Sequence, residues 1–243
     1  VTKNIHFIHG LHNDGFHICD RLAIASAAIN NPDWTVHLWC PEEPKGEHWQ
    51  KLIQKVPVKV MLIDNPFIWN DKVVGHYANR TDLIRLSVLY AMGGVYCDTD
   101  TLTIAPFPEK WFDHQAVIGH EFCDSGTIGL CNAIIFSKPF SRFIWKWLQK
   151  AQEYDGYSWN TLAVQWPYEI WKEDNTICHP VDFEMLGFIH CGSGRYWDGI
   201  HSLEGCVTAH LWRTYHKEKM NSLTEDEILK REFTYSHYAY KYI

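Results

Sequence analysis

The sequence has little positive charge, no apolar run of membrane length, and no paired-cysteine motif, although it is 243 residues long and contains eight Cys. Twenty-two basic residues face 29 acidic ones, a net charge of −7. A surplus of that sign gives no general attraction to a phosphate backbone, which argues against nucleic acid as a partner. No apolar stretch approaches the ~20 residues that cross a bilayer, and no signal peptide opens the sequence. No Cys stands in a C-x-x-C pair, and Cys97, Cys131, Cys178 and Cys191 lie inside apolar, strand-like runs. Buried free thiols are therefore expected in place of a disulfide framework. Repeats, linkers and low-complexity tracts are also missing.

A hydrophobic content of 46% predicts one α/β domain over residues 1–243 with a substantial core. The opening Asn4-Ile5-His6-Phe7-Ile8-His9-Gly10 reads as a buried strand running into a glycine turn, the usual first element of a nucleotide-binding α/β unit. A helix over 16–29 and a strand over 34–40 complete a βαβ opening, followed by a helix over 48–55 and a strand over 58–63. Residues 79–92 predict a helix with Leu83, Leu86, Leu89 and Tyr90 on one stripe, and Asp82 and Arg85 one turn apart on another. Gly93-Gly94 stops it before the strand Val95-Tyr96-Cys97. Further strands are expected at 116–119 and 133–136, a helix at 140–153, and a last helix to about residue 232 opened by a Thr224/Glu227 capping box. Residues 156–205 have no readable period.

Asp98 and Asp100 come at the end of that buried strand. Two carboxylates so placed do not both ionise comfortably without a cation nearby, and a divalent ion with oxygen ligands answers the need. Alone, D-x-D is also an ordinary pair of solvated acids, Asp82 and Arg85 an ordinary i, i+3 pair, and His210 an aromatic-cluster histidine. A strand-end D-x-D also opens the motif of haloacid-dehalogenase-type phosphatases, but Leu102 stands where that motif has Thr or Val. Twelve Trp and twelve Tyr allow a carbohydrate-binding module as a non-enzymatic alternative.

The run from Arg80-Thr81-Asp82 through Gly93-Gly94-Val95-Tyr96-Cys97 to Asp98-Thr99-Asp100 closely resembles the DXD region of glycosyltransferase family 32. So do Ile5-His6-Phe7-Ile8, Asn31-Pro32-Asp33-Trp34, Asn132-Ala133-Ile134-Ile135 with Ser137-Lys138-Pro139, and Ala209-His210-Leu211-Trp212. The resemblance implies a GT-A fold with a mixed central sheet, and a retaining glycosyltransferase that uses Mn²⁺, or Mg²⁺ in its place. The donor it implies is a nucleotide-sugar, a UDP-hexose ahead of GDP-mannose. A glycan or glycolipid would be the acceptor, and it could lie close to a membrane.

Carried over residue by residue, the resemblance has Asp98 touch the ribose and the metal's shell, Asp100 ligate the metal, and His210 complete the metal site. Asp82 and Arg85 would hold the donor sugar and its phosphate side, and Asn132 would lie beside the transferred sugar. Tyr96 would pack near the base, Ile8 and His9 would lie in the donor site, and Trp212 would shield it from water. At His9 relatives often carry Trp, and after Trp212 they often continue to Ser-Trp where this sequence has Arg213-Thr214-Tyr215. Retention by same-face attack needs no enzyme nucleophile, whereas double displacement would draw on Glu121, Asp124 or Glu169. The expected compartment is the cytoplasm or, since the sequence opens at Val1 and not Met, the Golgi lumen if an N-terminal anchor has been removed. Oligomeric state leaves no signal.

Overall fold

The structure is a computed structural model that describes residues 2–12, 15–64, 68–123, 126–156, 158, 160–187 and 193–243. The first half runs β1 (Asn4–Ile8), α1 (Ile18–Asn30), β2 (Thr35–Cys40), α2 (Glu47–Lys55), β3 (Val58–Leu62), the small hairpin β4 (Ile68–Trp69) and β5 (Lys72–Val73), α3 (Tyr77–Met92), β6 (Gly94–Cys97) and β7 (Thr101–Thr103). There follow β8 (Ala116–Cys123), β9 (Gly126–Ser137), α4 (Arg142–Lys150), α5 (Trp166–Glu173), β10 (His179–Val181), α6 (Phe183–Leu186), β11 (Thr208–His210), α7 (Arg213–Ser222), α8 (Glu225–Lys230) and α9 (Thr234–Ala239).

Seven strands form one mixed sheet in the order β10-β8-β9-β6-β1-β2-β3. The pairs β1–β2, β1–β6, β2–β3 and β8–β10 are parallel, and β9 runs antiparallel to both β6 and β8. Alternation along the strands divides the core between the two faces, as the two-residue period of a strand requires. Phe7, Val95 and Cys97 pack with Leu22 of α1, while Ile8 and Tyr96 pack with Leu83 and Leu86 of α3. Both faces are covered, which explains why the inner strands read as near-continuous apolar runs.

The expected βαβ opening is present within one or two residues at each end. The capping box opens α8, with Thr224 Oγ1 accepting from Glu227 N at 3.3 Å and Glu227 Oε2 accepting from Thr224 N at 2.9 Å. Cys97, Cys131 and Cys178 are buried free thiols, as are Cys19, Cys40 and Cys206, and Cys191 lies outside the described residues. Three expectations need correction. The strands placed at 116–119 and 133–136 extend to Cys123 and start at Gly126, and helix 140–153 is helical only over Arg142–Lys150 before a 3₁₀ turn. Residues 156–205 contain a π-helical turn, Thr161–Gln165, besides α5, β10 and α6. Among the described residues no helix is long and apolar enough to cross a membrane.

Candidate active site

The glycine pair that ends α3 fixes how the DXD strand enters the sheet. Gly93 has φ of 60° and Gly94 of 108°, and a Cβ on Gly94 would lie 2.2 Å from the Asn4 carbonyl oxygen of β1. Only glycine tolerates both the left-handed backbone and that approach. β6 therefore lies close against β1, and Asp98 leaves its end with its backbone N–H donating to Ala133 O at 2.8 Å. Thr101 Oγ1 donates to Asp98 O at 2.8 Å and closes a tight turn that aims both carboxylates to one side. β7 then pairs antiparallel with β11, and this pairing sets His210 opposite Thr101.

The result is a cavity of about 350 Å³ lined by Asp82, Arg85, Asp98, Asp100, His210 and Trp212, among others. Ile8, His9, Glu121, Cys131 and Asn132 also line it. Side-chain ligand atoms of Asp98, Asp100 and His210 all lie within 4.8 Å of one another, the one group of three or more such residues among those described that could hold a metal. Two oxygen donors and an imidazole, open to a polar cavity, suit a divalent cation.

The α3 side is a buried network. Arg85 Nη2 lies 3.2 Å from Asp82 Oδ1 and 3.2 Å from Asp98 Oδ1, and Nη1 donates to the Asn132 carbonyl. Asn132 Nδ2 donates to Asp82 Oδ1 at 2.7 Å, and the Tyr96 hydroxyl donates to Asp98 Oδ1 at 2.5 Å. The guanidinium stands 4.4 Å over the Tyr96 ring, a cation–π contact. Asp82 and Arg85 are each 4% exposed, so this is no solvated surface pair. Burial pushes the Asp82 carboxyl up to about 6, against Arg85 and Asn132. Asp98 is likewise pushed up by burial despite Arg85.

Asp100 faces different partners. Its Oδ2 accepts from the Arg213 backbone N–H at 2.7 Å and lies 3.4 Å from His210 Nε2. Burial would raise this carboxyl, but His210 and Arg213 outweigh burial and hold it below the ordinary range. The imidazole loses less to burial than it gains from Asp100, so its pKa is raised. Arg213 Nη2 in turn donates to Asp20 Oδ1 at 2.7 Å, a carboxylate almost wholly buried in the first turn of α1. Trp212, left-handed at φ 59°, has its ring 4.2 Å from that of His210 and tilted 40° to it, and its buried Nε1 has no hydrogen-bond partner.

The structure thus gathers Ile8, His9, Asp82, Arg85, Asp98, Asp100, Asn132, His210 and Trp212 around one cavity. Tyr96 is the exception: at 1% exposure it lies beneath Arg85 and bonds Asp98, so its ring supports those groups and does not line the cavity. Of the three carboxylates considered as nucleophiles, Glu121 lines the cavity, Glu169 pairs with Lys150 at 2.6 Å on the surface, and Asp124 lies outside the described residues. Sequence reasoning missed Asp20, Arg213 and Lys217 as site residues. The only available signal was the basic character of the segment that follows Trp212.

Residues 20–118 match the model of the glycosyltransferase sugar-binding region containing DXD motif. Over this region the chain is similar to the DXD-containing glycosyltransferases. That match favours a glycosyltransferase over the phosphatase and binding-module alternatives. Glucan organizing enzyme 1 of Cryptococcus neoformans is 26% identical over 200 residues, covering 76% of this chain and 52% of the relative. Human alpha-1,4-N-acetylglucosaminyltransferase is 24% identical over 188 residues, covering 66% of this chain and 52% of the relative. The chain thus spans about half the length of both curated relatives. Among solved structures, the PaToxG glycosyltransferase superposes with a TM-score of 0.54 at 20% identity, over 72% of this chain and 70% of its own. The glycosyltransferase GlyE of Streptococcus pneumoniae gives 0.53 at 10% identity, over 100% of this chain and 60% of its own. The fold is that of the GT-A glycosyltransferases.

Proposed function

We propose that this chain is a retaining, Mn²⁺-dependent hexosyltransferase that moves a sugar from a nucleotide-sugar to a hydroxyl of a glycan or glycolipid. The observation that carries this reading is the convergence of Asp98, Asp100 and His210 on one side of a cavity in a glycosyltransferase DXD region. UDP-hexoses are the preferred donors, with GDP-mannose the alternative. The name of the human relative adds N-acetylglucosamine to the sugars worth testing.

Asp98, Asp100 and His210 would hold the ion, Mn²⁺ or Mg²⁺. When bound, it neutralises charge on a departing diphosphate. The protein's own groups do the rest. Arg85 and Tyr96 orient Asp98 from beneath, and the Arg213 backbone N–H fixes Asp100. Arg213 and Lys217 add positive charge to the cavity wall nearest the C-terminal segment, where an anionic leaving group is best stabilised. Asn132, fixed by Asp82, offers an amide beside the transferred sugar, and Trp212 closes the wall against water. Same-face attack, with the acceptor hydroxyl oriented against the leaving phosphate, demands no covalent intermediate.

The test is a calorimetric screen of UDP, GDP and their hexose and N-acetylhexosamine conjugates, each with Mn²⁺ and with chelator. Mn²⁺-dependent binding of one nucleotide series is expected. Folded protein that binds none of them would remove the reading.

A further inference from the structure

Glu121 is a buried carboxylate that the metal cluster does not use. It is 8% exposed and lines the same cavity as Asp98, Asp100 and Asn132. Two irregularities in the β8–β9 pairing bracket it. Ile118 pairs with Ile135 but Gly119 with Cys131, and Glu121 pairs with Gly129 but Phe122 with Thr127. Bulges of this kind bend a strand and re-aim its side chains, and they recur beside active sites. The residue opposite Glu121 is constrained as well, because a Cβ on Gly129 would lie 2.3 Å from the Val164 carbonyl oxygen. The π-helical turn Thr161–Gln165 therefore packs directly on the strand, and its Ala163 and Val164 form the neighbouring wall of the cavity.

The carboxylate has little inside the protein to compensate its burial. Its hydrogen-bond partner is the Cys131 thiol, a weak donor. Among the described residues no side chain forms an ion pair with it and His210 acts on it only through space, whereas Asp82, Asp98 and Asp100 each have a basic side chain within 3.4 Å. A buried carboxylate without such partners is costly unless a bound molecule supplies donors. The same thiol ties it to the metal cluster, since Cys131 Sγ lies 3.9 Å from His210 Nδ1. A donor whose diphosphate lies at Asp98, Asp100 and His210 has its sugar in the remainder of this cavity, and sugar hydroxyls are the donors it would bring.

We infer that Glu121 accepts a hydrogen bond from a hydroxyl of the transferred sugar, an inference that rests on the glycosyltransferase reading above. The experiment compares wild type, Glu121→Gln and Glu121→Ala by calorimetry in Mn²⁺, using UDP against UDP-glucose and UDP-N-acetylglucosamine, and GDP against GDP-mannose. Both variants should bind the bare nucleotide within about twofold of wild type. The sugar conjugate should bind about tenfold more weakly or worse, the scale of one hydrogen bond to a charged group. Thermal melting without ligand adds a readout that a purely structural role would move the other way, because relief of an under-compensated carboxylate should leave Glu121→Gln as stable as wild type or more so. Equal losses for nucleotide and conjugate, no loss for either, or a strongly destabilised Glu121→Gln would each overturn the inference. Wild type that binds none of the five ligands would overturn the donor-site reading itself, and this inference with it.

Discussion

On the α3 side of the cavity, Asp82, Arg85, Tyr96 and Asp98 come from one continuous stretch of chain and spend most of their charge on one another. On the other side, Trp212 and Arg213 reach Asp100 from a segment 113 positions away, and the buried Trp212 Nε1 is left without a partner. The two Asp of one motif consequently part company: burial lifts Asp98 in spite of Arg85, while His210 and Arg213 hold Asp100 down. The first wall is a framework whose charges pair with one another, although the buried Arg85 Nε has no hydrogen-bond partner. The second keeps capacity for something that is not protein.

The comparison breaks most visibly at Arg85. Arg85→Ala strands the buried Asp82 and the half-buried Asp98, and a loss of about 3–5 kcal/mol in urea unfolding at neutral pH is expected. That deficit should shrink on acidification, as Asp82 and Asp98 become neutral, and a loss under 1 kcal/mol would show that the network is not a framework. Asp100→Asn keeps an acceptor for the Arg213 N–H but loses the charge that His210 and Arg213 stabilise, so it should remain folded with a stability below that of wild type. It should nevertheless cut metal-dependent turnover by about 10²–10³-fold, and full turnover would remove Asp100 from the metal site.

His6 serves as a control outside both walls. Its Nε2 donates to Gly93 O at 3.0 Å and its Nδ1 accepts from Trp39 Nε1 at 3.3 Å, so the neutral ring is satisfied on both sides. Burial pushes its pKa down from 6.5 to about 4. Between those values the unfolded chain binds the extra proton, so stability falls as pH drops through that window. His6 contributes a loss of about 2 kcal/mol from pH 7 to pH 5, read as the difference between wild type and His6→Gln over that range, since buried His9 and His37 titrate in the same direction. The smallest effect is reserved for His210→Ala, where Mn²⁺ affinity measured by titration should weaken about tenfold. Unchanged affinity would demote His210 to packing.

The difference between the walls is also a difference in what sequence can show. Helix 79–92, the glycine stop and the DXD strand are local features, with 3.6-residue and two-residue periods that meet at Gly93-Gly94, and the structure moves only the start of the helix, to Tyr77. β7 and β11 have three residues each, too few for a period to register. β8 and β9 were shortened in prediction because bulges and the glycines at 119, 126 and 129 interrupt their alternation. Asp20 is the acid in the first turn of α1. Its partner Arg213 is 193 positions away, and no pattern within either segment announces the pair. Tyr96 was misjudged for the opposite reason: its position in the strand was right, but strand alternation turns its ring into the α3 core.

The antiparallel ribbon of β7 with β11 carries a consequence for the order of synthesis. Both acids of the DXD motif leave the ribosome well before His210 and Arg213, and at ordinary elongation rates those 113 positions take roughly 5–20 s to translate. During that interval the βαβ opening and the buried Arg85 network can already form, since all their strands and α3 have been made. The nascent protein would then hold a folded half-site with the Asp100 carboxylate still uncapped. A metal site built from Asp98, Asp100 and His210 would accordingly be completed late, by the arrival of a three-residue strand and not by the DXD motif alone.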